Sequence, residues 1–159
     1  MVDHTLHYTM QLPLPRQEVF SLFSDAANLE RLTPPELKFC ILTPLPIAMK
    51  AGAEIEYRLQ LFGVSFRWKT CITVWNPPHL FVDEQLEGPY QTWIHRHSFR
   101  DGAAGSTIIE DEVLYRLPAA PMGELAYPLV RAQLERIFKY RQERVRALLL
   151  GQDGKEKGG

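Results

Sequence analysis

No uninterrupted apolar stretch in this chain approaches the ~20 residues that a membrane-spanning helix requires, which excludes a bundle of such helices. Cysteine is scarce. Cys40 and Cys71 stand alone, without the paired spacing of a structural zinc site, so neither a disulfide framework nor a zinc finger is expected. Charge of one sign is lacking too: 18 Lys and Arg against 19 Asp and Glu leave a net charge of −1 and no global basic field for nucleic acid or acidic lipid. The chain opens with no cationic segment followed by an apolar run, and this, with the lone cysteines, makes reduced thiols and a cytoplasmic location the expectation.

What is present is ample apolar content, 45% of 159 residues, which suits one core and one domain over residues 1–150. The last stretch, 151–159, is Gly-rich and charged and reads as a disordered tail. Just before it, from about Tyr127 to Leu150, Leu129, Val130, Leu134, Ile137, Phe138, Val145, Leu148 and Leu149 recur at helical spacing with charged residues between them. At ~1.5 Å per residue that helix is roughly 35 Å long, so its apolar stripe needs a broad surface to cover.

The upstream chain supplies the surface. Residues 4–12 alternate as a half-buried strand, Pro15 opens a short helix over 16–23, and Asp25 is placed to cap a second over 28–32. Strands follow over 38–45 and 53–61, and Phe62-Gly63 as a two-residue hairpin loop sets Leu61 opposite Val64, Leu59 opposite Phe66 and Tyr57 opposite Trp68. Prolines 77 and 78 mark the next turn, with Trp75 opposite Leu80, Val74 opposite Phe81, Ile72 opposite Asp83 and Thr70 opposite Gln85. That register leaves Trp75 on the outer face beside Leu80 and Val82. Further strands run over 81–86, 90–99 and 106–117. The expected fold is α+β: a strongly curved antiparallel sheet of about seven strands wrapped around the long helix, with two short helices after the first strand.

The order of elements, with NLERLTPPELKF near the start and FVDEQLEGPYQTWIHRHSF in the middle, resembles the START-like, Bet v 1-like superfamily (SRPBCC), in its bacterial ligand-binding branch. The resemblance implies the helix-grip fold and a hydrophobic cavity between sheet and helix. It also implies an apolar small-molecule ligand such as a lipid, quinone, polyketide or aromatic compound. It carries over no catalytic residue.

Chemistry concentrates in the middle strands. With Phe99 opposite Thr107, His97 faces Ile109, His95 faces Asp111, and a bulge brings Asp83 beside His95, giving an Asp, His, Asp row on the helix side. A carboxylate beside an imidazole favours its charged form and fixes its tautomer, which serves proton transfer or orients a ligand; it equally serves as a satisfied buried network that sets strand register. His95, Asp111 and Asp83 are therefore candidates for catalysis by a cyclase, dehydratase or hydrolase type of enzyme, none being assigned, since no nucleophile has an evident base. His95 and His97, two apart on one strand face, are the candidate metal ligands, but no metal or other cofactor is expected from so short a pattern.

Tyr57, Phe66, Trp68, Phe81, Trp93, Phe99 and Tyr115 share the helix side of the sheet and, with Val130, Leu134 and Phe138 of the helix, are expected to surround the ligand. Asp83, Gln85, His95, His97 and Asp111 would contact its polar part. Binding without catalysis is the leading expectation, an enzyme the alternative, and a protein-interaction module using Trp75 the third. No nucleic-acid partner is expected, and the assembly is a monomer or homodimer.

Overall fold

A computed structural model describes residues 2–151, so most of the expected tail, 152–159, lies outside the described residues. Seven antiparallel strands form one sheet: β1 (His4–Leu12), β2 (Cys40–Ile41), β3 (Glu54–Leu61), β4 (Val64–Asn76), β5 (Leu80–Glu87), β6 (Thr92–Asp101) and β7 (Thr107–Arg116), in the order β1-β7-β6-β5-β4-β3-β2. Helix α1 (Arg16–Ser24) follows β1, and α2 (Tyr127–Leu150) ends the fold, closed by Gly151 in the left-handed region at φ 64°. This is the expected helix-grip architecture, with a curved sheet against a long C-terminal helix.

Alternation decides which face is covered. Leu6, Met10 and Leu12 of β1, Ile55, Leu59 and Leu61 of β3, and Ile109, Val113 and Tyr115 of β7 are buried on the α2 side. The β3–β4 hairpin has the register set by a two-residue loop, with Phe62 and Gly63 both at positive φ (52° and 77°), as a type I′ turn demands.

Several expectations need correction. The strand over 38–45 shrinks to Cys40–Ile41, because Lys38 sits at φ 46° after a 3-10 turn at Pro35–Leu37, and Pro44 and Pro46 have no amide hydrogen for a ladder. The second helix is a single 3-10 turn, Ala26–Asn28, capped by Asp25, whose Oδ1 accepts from the Ala27 N–H at 3.0 Å. At the β4–β5 turn, Trp75 pairs with Phe81 and Val74 with Val82, one residue from the expected register; an irregularity between Ile72 and Val74 then restores Ile72 opposite Asp83 and Thr70 opposite Gln85. Trp75 therefore turns inward, packing on Phe20 and Phe81 at ring distances of 5.4 and 5.8 Å, and does not form an outer patch.

The helix stripe is also narrower than its sequence. Leu134, Phe138 and Val145 are buried, whereas Leu129 is 66% exposed. Two clusters fill the space beneath α2. One gathers Met10, Leu12, Val19, Phe20, Phe23, Phe81, Phe99, Ile109 and Val145; the other gathers Trp68, Tyr90, Trp93, Tyr115, Leu134 and Phe138 with neighbouring aliphatics.

Candidate ligand-binding site

Between the sheet and the middle of α2 lies a cavity of about 150 Å³. Strand alternation brings Tyr57, Trp68, Phe81, Trp93, His95 and His97 to its floor, with Ile55, Leu59, Leu61, Thr70 and Ile72 beside them, and Asp83 and Tyr90 complete the sheet side. The rim comes from the segment after α1, through Leu29, Thr33, Leu37 and Phe39, and from Met49. The helix wall is Leu134, Ile137, Phe138 and Arg141. Aromatic rings interlock along the floor: Trp68 stacks near Tyr57 at 5.8 Å and meets Trp93 edge-on at 5.3 Å.

Not every residue expected at the ligand lines this space. Phe66, Phe99, Tyr115 and Val130 pack in the surrounding core, and Asp111 lies behind the histidines. Gln85 is held by the neighbouring turn: its Nε2 donates to the Tyr90 carbonyl at 2.8 Å and its Oε1 accepts from the Tyr90 N–H at 3.2 Å, which pins the β5–β6 connection. Gly88 makes room for it, because a Cβ there would stand 2.5 Å from Gln85 Oε1. Arg141, one of the charged residues between the apolar positions of the helix, borders the cavity too. Helical spacing foretells this, since Arg141 is one turn beyond Ile137 and seven residues beyond Leu134.

The polar floor is a ring of two carboxylates and two imidazoles. Across the strands, Asp83 is opposite His95 and His97 is opposite Asp111, a shift of two residues from the expected β6–β7 register that preserves the faces. The hydrogen bonds run along the diagonals: His95 Nε2 to Asp111 Oδ1 at 2.8 Å, and His97 Nε2 to Asp83 Oδ2 at 2.7 Å. His97 Nδ1 is 3.4 Å from Asp111 Oδ1 but lacks hydrogen-bond alignment, so that contact is charge attraction. The His95 and His97 rings lie 3.6 Å apart, with Phe81 stacked on His97 at 4.0 Å.

The environment separates the two histidines. Burial and then the neighbouring His97 push His95 down, despite its bond to Asp111, which favours the neutral ring. Burial also opposes charge on His97, but the carboxylates of Asp111 and Asp83 outweigh it and lift its value. Burial alone would raise Asp111; the hydrogen bond from His95 and the close approach of His97 reverse that and hold it well below the usual carboxylate range. Asp83 is lowered in the same way, its burial outweighed chiefly by His97. Two adjacent imidazoles with opposite protonation preferences form a unit that can shuttle a proton or hold a polar ligand atom.

Asp83, His95 and His97 also present ligand atoms within 4.8 Å of one another. Two donors on one transition metal stand roughly 3.0–3.4 Å apart at ~2.1 Å bond lengths. At 2.7 Å, Asp83 Oδ2 and His97 Nε2 are hydrogen-bonded to each other and stand closer than two ligands of one ion. The cluster of His7, Glu110 and Glu112 is at the surface and outside the cavity.

A curved seven-stranded sheet gripping one long helix around an inner cavity defines the START-like, Bet v 1-like class. Among solved structures, the aromatase/cyclase Zhui from Streptomyces sp. R1128 superposes with a TM-score of 0.75 at 15% identity, over 95% of this chain and 99% of that one. A START superfamily protein from Mycobacterium smegmatis gives 0.68 at 18% identity, over 91% and 99%. A nucleoside-diphosphate sugar epimerase from Corynebacterium glutamicum matches at 26% identity and a TM-score of 0.61, over 88% of this chain but 28% of that longer one. A search of the curated proteins gives no match. The family described as polyketide cyclase/dehydrase and lipid transport matches residues 12–138, and the chain belongs to it.

Proposed function

We propose that residues 1–150 form a single ligand-binding domain that takes a small apolar molecule between the sheet and α2. The observation that carries this reading is a coincidence of partnerless polar atoms with an apolar cavity. Trp68 Nε1 and Arg141 Nε are buried without a hydrogen-bond partner, His97 Nδ1 meets only the misaligned Asp111 carboxylate at 3.4 Å, and all three residues border the same space. Buried polar atoms are rarely left unpaired, so three around one hydrophobic hollow argue for a molecule that pairs with them when bound.

Size narrows the ligand. A cavity of about 150 Å³ is of the order that holds one benzene ring, below the ~300–1,000 Å³ usual for drug-sized ligands. A one-ring aromatic or short-chain compound fits, whereas a polyketide or lipid tail requires the rim around Leu29, Thr33 and Met49 to move outward. Free Cys40 and Cys71 agree with a reducing, cytoplasmic setting, and no helix among the described residues is long and apolar enough to cross a membrane. Native mass spectrometry of protein gently isolated from its source tests the reading: it predicts a protein mass increased by a small organic molecule. Bare protein, together with no melting shift from added apolar probes, would reject it.

A second reading rests on the opposite protonation preferences of His95 and His97, which suit acid–base catalysis on the bound compound, as in an enzyme of cyclase or dehydratase type. His95→Gln should then abolish turnover and leave affinity within a few-fold; unchanged turnover would remove His95 from catalysis.

A further inference from the structure

We infer that Arg141 is a carboxylate-binding residue and that the ligand is a small aromatic carboxylate, its ring among the floor aromatics and its carboxylate on the guanidinium. This rests on the cavity being a binding site and assigns the chemical class of its occupant.

The argument begins with an imbalance. Within the cavity Asp83 is engaged by His97 at 2.7 Å and approached by His95 at 3.9 Å. Arg141 has no such partner. No carboxylate among the described residues comes within 4.0 Å of it, its Nε is buried without a hydrogen bond, and its direct neighbour is the Phe23 ring, 5.6 Å from Cζ. Its field reaches Asp83 and Tyr57 only through space.

A half-buried cation at an apolar wall with no carboxylate within 4.0 Å is under-compensated, and a guanidinium is best matched by a planar, two-oxygen partner that takes two parallel N–H bonds. A carboxylate supplies this with a single negative charge. A phosphate would bring more negative charge than one free guanidinium balances, in a space where Asp83 is already anionic. The remaining walls specify the rest of the molecule: Tyr57, Trp68, Phe81 and Trp93 suit an aromatic ring, and about 150 Å³ allows little more than one.

Isothermal titration with benzoate and with benzyl alcohol, its neutral near-isostere, tests this at pH 7. In the wild type benzoate should bind about tenfold tighter or more, the scale of a charged hydrogen bond. Arg141→Met should erase that preference and leave benzyl alcohol within about twofold. Arg141→Lys, which keeps the charge and loses the fork, should retain only part of it, and this decides the matter if Arg141→Met does not fold. Benzyl alcohol binding as tightly as benzoate to the wild type would overturn the carboxylate assignment alone. An undiminished benzoate preference in either variant would do the same. Failure of both probes to bind the wild type would overturn this inference and the binding-site reading together.

Discussion

Around Val145, the space beneath α2 is filled by hydrocarbon: Phe20 and Phe99 meet at 5.1 Å, Phe23 and Phe81, which also border the cavity, pack on them at 5.4 to 6.0 Å, and Met10, Leu12, Val19 and Ile109 close the gaps. Two turns earlier on the same helix, around Leu134 and Phe138, larger aromatic side chains enclose a hollow with imidazoles and carboxylates in its floor and an arginine at its edge. The same sheet and helix thus make a solid end and an open end. Bulk alone does not fill a core: Trp68, Trp93 and Tyr90 lean on one another and span the hollow, whereas the smaller Val145 sits fully buried against its neighbours.

If the packed end holds the fold, the largest loss of stability should come from there. Phe99→Ala, at 2% exposure, should cost about 3–5 kcal/mol in denaturant unfolding, the usual range for an emptied aromatic position. A loss below ~1 kcal/mol would mean that this end relaxes as easily as the other.

The polar floor should come next. Asp111→Asn leaves His95 and His97 without their shared counter-charge and should cost about 3 kcal/mol near neutrality. Its pH signature follows from the directions of the shifts. Asp111 and Asp83 are lowered from 3.8, so their stabilisation is present above that value and lost as pH falls through their depressed folded values; His95, lowered from 6.5, also loses its contribution on acidification. His97 is raised from 6.5, so its contribution is present below 6.5 and lost as pH rises through the lifted value. Stability of the wild type should therefore fall on both sides of neutrality, and Asp111→Asn, which removes a carboxylate that lifts His97, should flatten the alkaline limb in urea titrations across pH. An unchanged alkaline limb would show that the ring does not control it.

Adding volume separates the two ends most finely. Val145→Phe should overpack the solid end at a cost of about 1–3 kcal/mol, while Ile137→Phe, pointing into the hollow, should leave stability within ~1 kcal/mol. Equal penalties would contradict the contrast.

The sequence made the scaffold legible wherever a local rule was sharp. The Phe62-Gly63 loop fixed three cross-strand pairs, and alternation placed His95, His97 and Asp83 on one face, beside one another. It failed where a tertiary irregularity intervened. The slip between Ile72 and Val74 turned Trp75 inward, and the β6–β7 ladder moved by two residues, a change invisible to a period-2 pattern because it keeps every face. Side-chain diversion explains Gln85, whose amide serves the neighbouring turn. Arg141 was obscured by its company: amid Arg131, Arg136, Lys139 and Arg144 it reads as one more solvated charge, although its heptad offset from Leu134 marks the inner face.

The central claim, that the open end is a binding cavity, is met most directly by thermal unfolding with near-saturating toluene, comparing wild type and Ile137→Phe. The account predicts a melting temperature several degrees higher for the wild type, as expected when a ligand binds only the folded chain, and no rise for the filled variant. No rise in the wild type, or the same rise in both proteins, would contradict it.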